Sequence, residues 1–366
     1  MAQEPTFVST DVQTVLTEII QQFETQTGRT LQPAQVERLV LNVVAYREQL
    51  VREAIQYSAT QNLVSFADGL ALEALGELVG VTRLAASVAT CTLSFAIVEG
   101  ASSFIIPAGT RVSSNDGKVV FTTLEDKVVS GLPIASVPAQ CSTTGLAGNG
   151  YEPNQITKLL DPLAFVSAVT NINTTGGGAD QEEDDALRER IKLAPSRFSN
   201  AGSRSAYEFF ARSANPGIVD VYVTSPNPGY VEIYPLMGDT TETPVSVLDQ
   251  VKAACDSDKV RPLTDLVDII APTAVDYAIE LGIVYYSWAD PTVVLEQVQA
   301  ALNEFVIERK QQLGRDVLGS QIVGVAMAVN GVYNANLNGF TDLIIEPNQV
   351  ANYLEVSVYI ESENDG

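Results

Sequence analysis

The stretch Thr174–Ile191, TTGGGADQEEDDALRERI, carries the residues with the most suggestive spacing for chemistry. Three glycines, Gly176, Gly177 and Gly178, run into a helix start, the layout of a phosphate-binding loop. A Walker loop also needs Lys and Ser/Thr after the glycines, to reach the phosphates and magnesium. Here Asp180, Glu182, Glu183, Asp184 and Asp185 follow instead, and they repel an anion from the helix N-terminus. The same acids lack the EF-hand spacing, and a helical backbone directs their carboxylates apart, so no metal is expected. The chain has no histidine, which removes Ser-His-Asp and Cys-His catalysis and the commonest zinc ligand. Cys91, Cys141 and Cys255 are widely spaced with no C-x-x-C, and read as reduced, buried thiols. Carboxylate-pair catalysis needs no histidine, but 45 acidic residues make chance pairs unavoidable. No aspartic-protease D-[ST]-G occurs, and Trp288 beside Asp290, at a strand–helix junction, reads as a packing or interface aromatic. No catalytic residue, cofactor or metal is therefore expected.

What remains for the glycines is mechanical. Acids in the first turn and Arg188, Arg190 and Lys192 further on complement the helix dipole. Asp184 and Arg188 stand four apart in the favourable order, an ion pair contributing about 0.2–0.5 kcal/mol. Leu187 and Ile191 share one face and can dock on a core. Gly176–Gly178 is read as an interdomain hinge leading into a well-specified helix, with a motionless linker as the alternative.

The elements around this stretch predict an α+β multidomain chain: an N-terminal helical arm, a small β barrel or sandwich, then two small α+β domains of αββαβ-like order. The divisions fall at 1–87, 88–180, 181–275 and 276–366. Thr10 and Gln13 form a capping box for a first helix. Its stripe, Val12, Val15, Leu16, Ile19, Ile20 and Phe23, either folds onto the body of its own chain or, being narrow, serves as a seam between subunits. Pro33 opens a second helix with a stripe from Val36 to Ala54, and a third covers Ala71–Leu78. Residues 88–172 are β-rich with Gly and Pro clusters between strands, and Asn115-Asp116-Gly117 marks a hairpin turn. Beyond Glu182, helices and strands alternate, including a strand predicted over Thr341–Glu346. Two segments, SAYEFFARSANPGIVDVYV and QIVGVAMAVNGVYNANL, echo each other as helix, Asn-(Pro)-Gly, strand. A formal charge of −24, from 21 basic and 45 acidic residues, disfavours nucleic acid and anionic lipid as partners. No run of 18 apolar residues exists, so no membrane insertion is expected, and the first residues lack the features of a secretory leader.

Five stretches together resemble the phage baseplate J-like proteins. They are LEALGELVGVTRLAAS (72–87), IPAGTRVSSNDGKVVFTT (106–123), GLAGNG (145–150), AVTNINTTGGGADQEEDDALRERI (168–191) and RPLTDLVDIIAPTAVDYAIEL (261–281). The fourth is the most specific, with Val169, Thr170, Asn171, Gly177, Gly178, Leu187, Arg188, Arg190 and Ile191 matching the family's strand end, glycine pair and L-R-x-R-I run. LGRDVLGSQIVGVAMAVNGV (313–332) looks like the family's C-terminal unit. The resemblance implies a structural, non-enzymatic baseplate wedge component of a contractile tail, present in the virion and assembled in the host cytoplasm. It implies a second copy of the chain, a smaller tail-protein-I-like subunit, sheath-side wedge and hub proteins, and neighbouring wedges around a six-fold ring as partners. A tail hydrolase with a carboxylate pair and a receptor-binding or fibre-attachment protein are the alternatives.

Overall fold

The computed structural model describes residues 3–365 except 99–102, 132, 199–202, 241, 258–259 and 263. Contacts divide the chain into two units: residues 1–83 with 183–192, and residues 84–182 with 193–366.

The first unit is helical. Helices α1 (Val12–Thr27) and α2 (Val36–Thr60) form a hairpin, followed by α3 (Gly69–Leu78) and, from far along the chain, α4 (Asp184–Leu193). The cap of α1 is Asp11, whose carboxylate accepts from the Thr14 amide at 2.7 Å. This replaces the predicted Thr10–Gln13 box, because a charged carboxylate is the stronger acceptor for the open amides. Pro33 lies in the turn before α2 rather than in its first turn, and Gln35 is the N-cap. Arg52 on α2 ties the hairpin by reaching Glu18 of α1 at 3.1 Å and Glu48 at 2.6 Å.

The sequence division placed the helix after the glycines at the head of the central α+β region. In the structure α4 packs among the N-terminal helices. Leu187 and Ile191 are buried, and Ile191 approaches Gly76 of α3 so closely that a Cβ there would lie 3.1 Å from its Cδ1. Arg188 donates to the carbonyls of Val64 (3.0 Å) and Ala67 (2.9 Å), and Arg190 to that of Thr82 (2.7 Å). The predicted Asp184–Arg188 pair is rewired. Asp184 accepts from the Gly69 amide (2.9 Å) and from Arg83 (2.5 Å), while Arg188 pairs with Asp185. Those two donors, the Gly69 amide first, hold the Asp184 carboxyl below its ordinary value. Its contribution to stability is therefore present above the ordinary carboxylate range and lost as the pH falls through the depressed value. Truncating Arg188 to Ala orphans two partly buried carbonyls, and we expect a loss of about 2–3 kcal/mol in urea unfolding of the full chain. Arg188→Lys should recover less than half, since a point charge cannot span both carbonyls; full recovery would show that charge alone holds α4.

The second unit opens with a six-stranded antiparallel sheet curled into a nearly closed barrel. Its strands are β1 (Val88–Ile97), β3 (Arg111–Ser114), β4 (Val120–Thr123), β6 (Ile134–Thr144), β7 (Ile156–Leu159) and β8 (Val166–Asn171), in the order β7-β3-β4-β6-β1-β8. A two-stranded ribbon, β2 (Phe104–Ile106) with β5 (Lys127–Val129), lies beside it. Alternate residues point inward: Ala135, Val137, Ala139 and Cys141 of β6 meet Leu93, Phe95, Val112, Phe121 and Ile156 in one core. The β3–β4 turn carries the predicted Asn-Asp-Gly, with Gly117 at φ 75°.

Two α/β layers follow. In the first, α5 (Arg204–Arg212) and α6 (Val245–Cys255) pack with a sheet ordered β11-β10-β9, formed by β9 (Ile218–Thr224), β10 (Tyr230–Met237) and β11 (Leu266–Ile269). In the second, α7 (Pro291–Lys310) and α8 (Gly319–Met327) pack with a sheet ordered β13-β12-β14, formed by β12 (Thr273–Tyr286), β13 (Val332–Leu337) and β14 (Gln349–Asn364). The two sheets share one design. A middle strand, β10 or β12, runs antiparallel to the strand that follows the Asn-(Pro)-Gly turn and parallel to the other neighbour. The echo between the two sequence segments therefore falls on equivalent places, α5–β9 and α8–β13. The chain order differs, because α8–β13 is inserted between α7 and β14, giving βααββ rather than αββαβ in the last domain. The strand predicted over Thr341–Glu346 is reduced to a single bridge, Val317 with Leu343. Its neighbours bond to side chains instead: Asp316 accepts from the Ile345 amide and Asp342 from the Gly319 amide.

Candidate assembly surface

The candidates for chemistry raised by the sequence, the cysteines, Asp290 and Trp288, stand in structural surroundings. The three cysteines are free and buried, and burial pushes the Cys91 and Cys255 thiols up to about 12, far from a reactive thiolate. Asp290 caps α7, accepting from the Thr292 amide at 2.9 Å. Trp288 is exposed and stacks on Tyr286 at 5.7 Å between ring centroids. Among the described residues no cluster of three potential metal ligands occurs, and no helix is long and apolar enough to cross a membrane.

The three glycines are buried, and neighbours in the second unit hold them from two sides. Gly176 forms a β-bridge with Thr90 (2.8 and 3.2 Å), and Ser87 Oγ donates to the Gly177 carbonyl at 2.9 Å. Asn149 Oδ1 accepts from the Gly178 amide at 2.9 Å, and Asn149 Nδ2 donates to the Gly178 carbonyl at 2.7 Å. From the other side Asn215 Nδ2 donates to the Gly177 carbonyl at 3.1 Å, and a Cβ on Gly176 would lie 2.6 Å from Cγ of Pro244. The GLAGNG and TTGGGAD stretches thus interlock through Asn149.

One strand further back, Asn171 is fully buried at the end of β8. Its Oδ1 accepts from the amides of Gln155 (3.0 Å) and Ile156 (2.9 Å). Its Nδ2 donates to the carbonyls of Glu152 (2.9 Å), Asn173 (2.9 Å) and Tyr151 (3.3 Å). β7 and β8 are the two ends of the barrel sheet, and this side chain fastens the start of β7 to β8 where no ladder joins them. The matched Val-Thr-Asn run gave no local sign of this role, since its partners lie up to 20 residues away.

The helical hairpin presents the surface that needs explaining. Of the predicted seam on α1, Val15 is fully buried, and Val12, Leu16, Ile19, Ile20 and Phe23 are half-buried. α1 packs against α2 of its own chain. The exposed stripe lies on α2: Val36, Leu39, Val40, Val43, Val44, Leu50, Val51 and Ile55 all stand in solvent, Val36 at 71% and Val43 at 64% of full exposure. Its less exposed positions are mixed in character, Arg38, Leu41, Ala45, Glu48 and Arg52. The more apolar side of α2 is therefore the uncovered one. A contiguous apolar face of this kind on a folded protein marks an interaction site.

The chain thus carries a helical hairpin with an uncovered apolar face, a side-chain-fastened barrel and two α/β layers in series. The chain belongs to the baseplate J-like protein family. Four family models match in series: the N-terminal domain at residues 38–90, the barrel domain at 92–178, the central domain at 199–271 and the C-terminal domain at 277–359. Baseplate protein J of Escherichia phage P2 is 31% identical over 178 residues, covering 47% of this chain and 57% of that protein. The match thus spans little more than half the length of that relative. The cryo-EM structure of the anti-feeding prophage baseplate, six-fold symmetrised, aligns over 93% of this chain and 90% of that chain, with 12% identity and a TM-score of 0.39. The chain is a structural component of a tail baseplate.

Proposed function

We propose that the chain is a wedge subunit of a contractile-tail baseplate. Two copies join one smaller tail-protein-I-like subunit through the N-terminal helices, and six such wedges surround the hub beneath the sheath-side proteins. Neighbouring wedges meet through the C-terminal layers, and the ring couples attachment to sheath contraction. The observation that carries this reading is the uncovered apolar face of α2, which no other part of a self-sufficient monomer would require. The α1 stripe adds its half-buried edge to the same bundle. The glycine segment serves as the joint between the barrel and the central layer, and the bonds on its two sides support a fixed joint.

Co-expression with the products of the neighbouring tail genes, followed by native mass measurement, tests the reading. A complex containing two copies of this chain and one smaller subunit is expected. Val43→Asp places a charge in the middle of the buried seam and should weaken the complex about 10- to 100-fold, with the helical content unchanged. A chain that remains alone beside its neighbours, or a complex indifferent to Val43→Asp, would remove the bundle from the account.

A further inference from the structure

We infer that the α2 face receives a helix of a different chain, one that seats a bulky apolar side chain over Ala54 and sets a carboxylate against Arg47. This rests on the wedge reading above and specifies the partner's chemistry.

The spacing comes first. Val36, Val40, Val43, Arg47, Leu50, Ala54 and Tyr57 follow one another at intervals of four, three, four, three, four and three. That is an unbroken heptad seam, with Val40, Arg47 and Ala54 at one core position and Val36, Val43, Leu50 and Tyr57 at the other. A groove of about 460 Å³ lies along it, lined by Arg47, Leu50, Val51, Ala54, Ile55 and Ser58. Arg47, Leu50, Val51 and Ala54 are at i, i+3, i+4 and i+7, the four residues that enclose one knob of a facing helix. Val51, Ala54, Ile55 and Ser58 repeat the pattern about one turn further along the helix. The lining thus forms two overlapping holes of helix-packing geometry that share Val51 and Ala54, and Ala54 and Ser58 are its smallest side chains. A helix fits it, and the small Ala54, common to both holes, leaves room for a large knob.

Arg47 then selects the helix. It is the one charged residue at a core position of this seam, it is exposed, and it makes no ion pair among the described residues. Covered by a partner it would lose water, and a desolvated guanidinium requires a carboxylate. A parallel second copy in register would oppose Arg47 with Arg47. No core position of α2 carries an acid, so other registers of a self-pair offer it apolar side chains. A polar residue at a single core position also fixes register, so this contact sets which layer of the partner lies opposite.

The test uses the full chain and the smaller subunit encoded beside it. Arg47→Glu is expected to weaken the complex at least 100-fold, and Ala54→Phe, which fills the hole, at least 10-fold, with unchanged circular dichroism for both. Arg47→Leu should also weaken it, because the partner's carboxylate is left unpaired. Reversing that carboxylate to Arg in the partner helix should restore the Arg47→Glu complex at least 10-fold. If Arg47→Glu and Ala54→Phe bind as wild type while Val43→Asp does not, the wedge bundle stands and this assignment falls. Tighter binding by Arg47→Leu, failure of every reversal on the partner helix, or a stable self-dimer indifferent to Arg47→Glu would also overturn it. If Val43→Asp binds normally too, the bundle reading itself has failed.

Discussion

Replacing Asn171 by Ala is expected to cost about 3–5 kcal/mol of barrel stability, among the largest effects available to a single side chain here. The reason is a count of groups rather than of volume. One amide serves two backbone N–H donors, at Gln155 and Ile156, and three carbonyls, at Tyr151, Glu152 and Asn173. Each buried group left without a partner costs about 1–3 kcal/mol, and the total falls short of the sum because water enters part of the space. Asn171→Asp separates the two halves of the role. Its carboxylate can still accept from both amides but faces three carbonyls with a negative charge, so its folded-state titration is raised. The variant should be stabler when protonated, with the benefit present below about pH 4 and lost as the pH climbs through the raised value. Urea unfolding across that range, with hydrogen exchange at Gln155 and Ile156, reads both effects. A loss under about 1 kcal/mol, with those two amides still protected, would mean that the closing contact between β7 and β8 is made elsewhere.

The sequence shows Asn171 only as the last letter of a strand-end run, and the reason lies in what a local pattern can encode. Periodicity reports which face of an element is apolar, but not what covers it. The α1 stripe from Val12 to Phe23 and the α2 stripe from Val36 to Ala54 were both visible. Which of them meets a neighbour in its own chain follows from the hairpin, held at Arg52 and Glu18. The same limit explains the rewired acid. Asp184 and Arg188 are well spaced along one helix, but Arg83 and the Gly69 amide reach Asp184 from outside it. Short-range chemistry fared better where nothing distant competes, as in the Asp-Gly turn and the helix from Pro291. The alternation of inward residues in β6 was likewise legible, because one face of that strand is buried throughout. The cap of α1 shows the opposite case: Thr10 is the predicted cap, and Asp11, one residue on and the stronger acceptor, takes its place.

The glycines pose the sharper question, because a run of three can serve motion or close approach, and the two purposes predict different defects. Gly178→Ala should cost about 3 kcal/mol, since its Cβ would lie 2.5 Å from the Gly145 carbonyl oxygen and 3.0 Å from the Ala89 amide nitrogen. Both are backbone atoms and cannot swing aside, so either the β-bridge to Thr90 or the Asn149 pair must give way. Gly109→Ala is the control for backbone conformation alone: Gly109 is left-handed, at φ 81°, with open space around it, whereas Gly178 is not left-handed and is constrained only by close approach, so Gly109→Ala should cost only about 1–2 kcal/mol. A segment present for motion would show the reverse. Gly178→Ala would then leave thermal unfolding of the isolated chain nearly unchanged, and the defect would emerge only in assembly or triggering. If, as proposed, two copies of the chain share one wedge, comparing them completes the test, because a working hinge requires their torsions across residues 174–180 to differ after superposition on the barrel. Equal torsions with a destabilised Gly178→Ala chain would place any rearrangement of the baseplate between whole subunits, with each barrel and its following layer moving as one piece. Different torsions with an unimpaired Gly178→Ala chain would restore the hinge and require the Asn149 and Asn215 bonds to break and reform between the two poses.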